Sequence, residues 1–243
     1  MVQQSVRQTS QHPAQKSVIG NTISVFTGAI FALMMALFFS IVVEWIGMSF
    51  FWDEPGSEHA KKMLEIEIEY LNDDFRQSLL TSSPAKFAKE VADTSYYYLF
   101  EWTGLIRFIE WAANERPQST LHQYAHVIAT SLWDYVMAMI AVTQVFAVRL
   151  AILILATPVF ALALIAGFTD GLVQRDLRRW GGGRESSFLY HRSKKMIMPA
   201  ILSAWVVYLA MPFSIHPSFI IVPFTLMAGI AMAISAATFK KYL

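Results

Sequence analysis

Residues 121–168 read LHQYAHVIATSLWDYVMAMIAVTQVFAVRLAILILATPVFALALIAGF, and how this stretch is divided decides the fold. It is apolar almost throughout, too long for one membrane crossing, and holds no Gly, Pro or Asn turn before Pro158. A single basic residue, Arg149, interrupts it. As helix, Ala151 to Phe168 would rise about 27 Å, close to the thickness of a hydrocarbon core. Arg149 is then expected to snorkel at the outer edge while the preceding half projects beyond the membrane. The residues that follow favour one long helix. Two separate crossings would carry the basic segment after Phe168 to the translocated side, against the positive-inside bias.

The rest of the chain agrees with a lipid solvent. Of its 243 residues 55% are hydrophobic and only 15% charged, and the mean hydropathy is +0.43, outside the range of an ordinary soluble domain. A formal net charge of +1 excludes a globally basic nucleic-acid binder or an acidic tail, so any charge argument is local. The absence of cysteine removes disulfides, thiolate metal sites and a cysteine nucleophile together.

Upstream, residues 1–21 are polar and without hydrophobic periodicity and read as a disordered cytoplasmic tail. Residues 22–46 form a first span. Its apolar run is longer than the core of a signal peptide and ends in WIGMSFFWDE, the pattern of an uncleaved anchor, with Glu44 expected to reach the outer headgroups. Residues 52–121 differ sharply, with thirteen acidic residues against seven basic ones. Ile68, Leu71, Phe75 and Leu79 recur at helical spacing. Ser83-Pro84 reads as an N-cap and first-turn proline, and Phe87, Val91, Tyr98, Trp102, Leu105 and Ile109 continue the pattern. Two amphipathic helices in a hairpin outside the membrane are expected.

Downstream of the long helix, residues 122–168, comes a basic segment, 169–195, with seven basic against three acidic residues, and it is placed in the cytoplasm. Residues 196–213 and 218–239 are two further spans joined by the turn SIHPS. The expected fold is therefore all-α: a polytopic membrane protein with about four transmembrane helices, an extracytoplasmic helical hairpin and one long helix projecting from the membrane. It would sit in the bacterial inner membrane with both termini cytoplasmic.

Motifs that could carry chemistry are few. His122 and His126 stand four apart, the spacing at which two imidazoles can share zinc, but HQYAH lacks a metalloprotease glutamate and a third ligand, and no metal site is expected. Trp180-Gly181-Gly182-Gly183-Arg184 lacks the Gly-Lys-Ser/Thr ending and the preceding strand of a phosphate loop and reads as a flexible turn, so no cofactor is expected. Ser186, Ser187 and His191 come without a nucleophile elbow or an orienting acid beyond Glu185, so no catalytic site and no enzyme are expected. Aromatic Trp180, Phe188 and Tyr190 interleave with the arginines, as interfacial lipid anchors or a protein-binding patch would require. The candidate partner-binding residues are Arg175, Arg178, Arg179, Trp180, Arg184, Tyr190, His191 and Arg192. An excess of four positive charges is a small footprint for nucleic acid, and direct contact with it is not expected. Gly167, Gly171 and Gly229 with a run of alanines from Ala228 to Ala237 supply surfaces for close helix association, within the chain or in a homo-oligomer.

The segment GFTDGLVQRDLRRWGGGRESSFLYHRSKK, Gly167 to Lys195, resembles the signature stretch of a membrane-protein family found in integrating conjugative elements, most specifically in WGGGRESSFLYHR. The similarity extends over most of the chain, from the first span to the last. It brings no catalytic residues. What it implies is context: an inner-membrane component of a type IV secretion or coupling complex, whose members are often encoded beside the coupling ATPase. The leading expectation is a non-enzymatic conjugation subunit that docks the coupling ATPase or another transfer protein through its basic segment, in contact with the lipid bilayer. An outward-facing recognition or exclusion protein that uses the acidic hairpin, and a small transporter, are the alternatives.

Overall fold

A computed structural model describes residues 18–53, 57–74, 80–81, 83–113, 120–182 and 187–239. The described residues are helical, without strands: α1 (Val18–Phe50), α2 (Glu58–Asp74), α3 (Pro84–Tyr96), a π-helical turn (Tyr97–Glu101), α4 (Leu105–Ala113), α5 (Thr120–Trp180), α6 (Ser187–Ala210) and α7 (Ser218–Ala237). The chain divides into two units, Met1–Met35 and Ala36–Leu243, with the boundary inside α1. In the first, Ile30, Phe31 and Met34 are exposed apolar side chains. The packing below is that of the second.

Composition explains three membrane-compatible elements. Thr27–Phe50, Leu132–Trp180 and Ser218–Ala237 are each long and apolar enough to cross a bilayer. Helix α6 is not among them, because Lys194 and Lys195 precede its apolar part. Pro158, Pro199 and Pro223 lie inside α5, α6 and α7 without ending them. Such prolines would be costly in water and are tolerated where neighbouring helices satisfy the freed backbone groups.

Helix α2 forms on a 3-and-4 stripe: Ala60, Met63, Glu67 and Leu71 are buried, while Lys61, Lys62, Glu65 and Glu69 face out. Phe75 and Leu79, expected to continue the stripe, lie outside the described residues. Helix α3 starts at Pro84 as its spacing predicts, burying Pro84, Ala88 and Ala92, but the Ser83 side chain makes no capping hydrogen bond. The second amphipathic helix expected from Ser83 onward is not continuous. After α3 the backbone widens into the π turn, in which Trp102 N–H donates to the Tyr97 carbonyl at 2.8 Å. Gly104, at φ +77°, then breaks the axis before α4.

Helix α5, 61 residues long, runs without interruption from Thr120 to Trp180, a rise of about 90 Å. It passes through the segment read as a basic cytoplasmic loop, which is helical up to Trp180 and again from Ser187. From Ala141 to Ala156 nearly every side chain is buried, as expected of a helix apolar on all sides. Lower down, Gly167 and Gly171 lie four apart against Gly229 and Ala233 of α7. A Cβ at Gly167 would collide with the Gly229 carbonyl, and one at Gly171 with the Ala233 carbonyl. These are paired small-xxx-small faces that let two helix backbones approach closely, and their register makes α5 and α7 parallel. Helix α6 connects them in the chain and packs mainly on α7, touching α5 little.

Candidate functional site: a basic turn and a buried ion pair

Two arrangements stand out, one at each end of the packed part of α5. Arg149, expected at the lipid edge, is instead buried, with only 1% of its surface exposed. Its Nε donates to Glu67 Oε1 at 2.8 Å, and one terminal nitrogen lies 2.8 Å from the same oxygen. The guanidinium also donates to the Met211 carbonyl at 2.5 Å and the Phe213 carbonyl at 2.9 Å. Tyr208 completes the network: its hydroxyl donates to Glu67 Oε2 at 2.8 Å, and its ring lies 5.4 Å from the guanidinium carbon. The physical reason for the correction is local. Snorkelling needs water within reach, whereas α2 offers a carboxylate and the turn just after α6 offers the Met211 and Phe213 carbonyls, which have no helical donor. One side chain thus neutralises a buried acid and satisfies the turn that follows α6. The turn beyond α6 is also tied to α2, with Ser214 Oγ donating to the Met63 carbonyl at 3.2 Å.

Glu44, expected at the headgroups, is corrected in the same way. It is buried, and His59 Nδ1 of α2 lies 2.9 Å from its Oε1. Trp52 stacks on His59 with centroids 4.1 Å apart, above Gly47, where any Cβ would meet the indole. His126 donates from Nδ1 to the Ala112 carbonyl at 3.2 Å, and the side chain of His122 lies outside the described residues. No group of three potential metal ligands occurs among the described residues.

The sequence contained a sign of the Arg149 pair. Glu67 sits on the apolar stripe of α2, four residues after Met63 and four before Leu71. A charge placed there must find a partner, and periodicity alone does not say which.

The eight candidate docking residues separate into two groups. Arg178 is engaged internally, donating to the Ala237 carbonyl at the end of α7, where a cation suits the helix terminus. Arg175 is half-buried, with a terminal nitrogen 3.5 Å from Asp176 Oδ1. Tyr190 is half-buried too, its ring 5.7 Å from that of Phe239 and under Lys194. Arg179, Trp180, His191 and Arg192 are exposed, and Trp180 reaches 91%. Arg179 shares Asp176 with Arg175 at 3.9 Å, a solvent-screened contact. Arg184 lies outside the described residues. Trp180 is followed by Gly181 and by Gly182 at φ +65°, a backbone turn that leaves the indole at the very end of the helix.

A family model described as IncC plasmid conjugative DNA transfer protein, DtrJ-like, matches residues 51–240, more than three quarters of the chain. The chain belongs to the DtrJ-like family. The expectation of a conjugative-transfer protein therefore holds. The DtrJ-like match begins just after α1, runs to residue 240 and includes the Glu67–Arg149 ion pair and the basic turn, while α1 precedes it. Neither a curated protein nor a solved structure matches the chain.

Proposed function

We propose that this DtrJ-like protein is a non-enzymatic, multi-pass inner-membrane subunit of the conjugative DNA-transfer apparatus, docking the coupling ATPase or another subunit of the secretion channel through its basic turn. Membership of the family supports the role in conjugation. The topology that agrees with the charge pattern has four spans, α1, α5 from Ala151, α6 from Met196, and α7. Both termini and the basic turn are then cytoplasmic, and α2 to α4 with the first half of α5 lie outside. The contribution of α6 is short, about 22 Å over residues 196–210, and close packing on α7 compensates.

The observation that carries the docking part is Trp180. An indole 91% exposed, next to Arg179 at the end of a long helix, has the composition of an interface anchor and is not consumed by packing within the chain. Arg178 and Arg175 then position the helix end, and Arg179, Trp180, His191 and Arg192 face the partner. A transporter is disfavoured because Glu44, Glu67 and Arg149, the buried charged residues among those described, are all paired and line no path.

The test is affinity purification of the tagged protein from crosslinked membranes of mating cells, with co-purifying proteins identified by mass spectrometry. Recovery of the coupling ATPase or a channel subunit, lost in Trp180→Ala and Arg179→Ala, is expected. Recovery of the bait alone would overturn the docking role.

A further inference from the structure

The π turn and α4 form a hook that carries large aromatic side chains the fold does not bury. Trp102 is 71% exposed, and Tyr97, Tyr98, Phe108 and Trp111 are exposed beside it. Phe100 alone points inward. The hook is firmly held. The Trp102 N–H closes the π turn, Gly104 sets the bend, and the Ala112 carbonyl accepts from His126 of α5. A rigid, outward-facing aromatic cluster is costly to leave in water and has the make-up of a binding surface.

We infer that this hook docks a second protein outside the membrane, one presenting a basic surface with an apolar ridge. Height argues against lipid. His126 stands 25 residues before Ala151 on unbroken helix, so the tip of the hook rises about 37 Å above the start of the α5 span. Lower on the same arm, α3 lies beside Gln144 and Val148. This step rests on the span assignment proposed above. Charge argues against a second copy. Among the described residues of the hook, Glu101 and Glu110 are exposed against Arg107, within a segment of thirteen acids and seven bases, so two copies would repel and a basic partner would be attracted.

The chain contains no cysteine, which permits a clean two-part experiment. In cells expressing the protein alone, Trp102→Cys should be labelled by a membrane-impermeant maleimide from outside and Lys195→Cys only after lysis. Labelling of Trp102→Cys from the cytoplasmic side alone would overturn the span assignment and this inference together. In mating cells, a photo-crosslinking phenylalanine placed at Trp102 in the full chain should form an adduct with an extracytoplasmic transfer subunit. The adducted peptide should be flanked by Lys or Arg. The yield should fall about tenfold in Phe108→Ala and Trp111→Ala at unchanged abundance, and it should fall in Glu101→Lys with Glu110→Lys and at raised ionic strength. Adducts with a second copy only, with phospholipid only, or none, given external labelling at 102, would overturn the inference and leave the topology standing.

Discussion

Arg149 shows how one residue can be placed correctly in the chain and wrongly in space. Its interruption of the apolar run is plain in the sequence, but its direction is set by Glu67, 82 positions away, and by the carbonyls of Tyr208 in α6 and of Met211 and Phe213 just after it. No local pattern encodes such a pairing. Because both charges are buried, removing one partner leaves the other uncompensated. Glu67→Leu and Arg149→Met should each destabilise the protein by about 3–5 kcal/mol, read as thermal unfolding in detergent. The double variant should be less destabilised than the sum of the two. Full recovery is not expected, because the carbonyls just after α6 lose their donor as well. Additive losses would show that the pair is not a unit. Tyr208→Phe removes a single hydrogen bond to Glu67 and should cost about 1–3 kcal/mol by the same measurement.

Among the elements, legibility follows periodicity. Helix α2 is legible through its 3-and-4 spacing, and α3 through Pro84 in its first turn, although Ser83 makes no capping bond, since spacing and first-turn proline are local signals. The division of the second expected amphipathic helix into α3, the π turn and α4 is not legible in the spacing. Tyr96 to Trp102 has helical spacing on either side of a π turn, and one inserted residue shifts the register without breaking the apolar pattern. Gly104 was its only signal. The small-residue surfaces were read correctly as packing faces, and the structure gives their mate: α5 against α7. Gly167→Leu should therefore separate these helices and lower thermal stability by about 1–3 kcal/mol or more through overpacking. Gly28→Ala, where an added Cβ meets nothing within 4 Å, should be neutral or stabilising by up to about 1 kcal/mol. Equal effects at the two glycines, in the same unfolding assay, would contradict the close α5 to α7 contact.

For the whole molecule, composition pointed to lipid, in keeping with three helices long and apolar enough to cross a bilayer, and charge carries the proposed orientation, whereas tertiary pairing decides which basic residues remain available. Half of the predicted docking set is drawn into the structure or lies outside its described part: Arg178 caps α7, Arg175 and Tyr190 are half-buried, and Arg184 is not described. Arg179, Trp180, His191 and Arg192 remain as the surface. A charge-only reading could not make this separation, since a topology determinant and a docking arginine look alike in sequence. They differ in response. Arg178→Lys should keep an α7-capping cation and leave conjugation near normal, while Trp180→Ala removes an anchor that no packing within the chain requires. The most direct measurement is DNA-transfer frequency from donors carrying Trp180→Ala with Arg179→Ala in place of the native gene, at matched membrane abundance. The account predicts a loss of about tenfold or more; transfer at the native level would contradict docking through the basic turn.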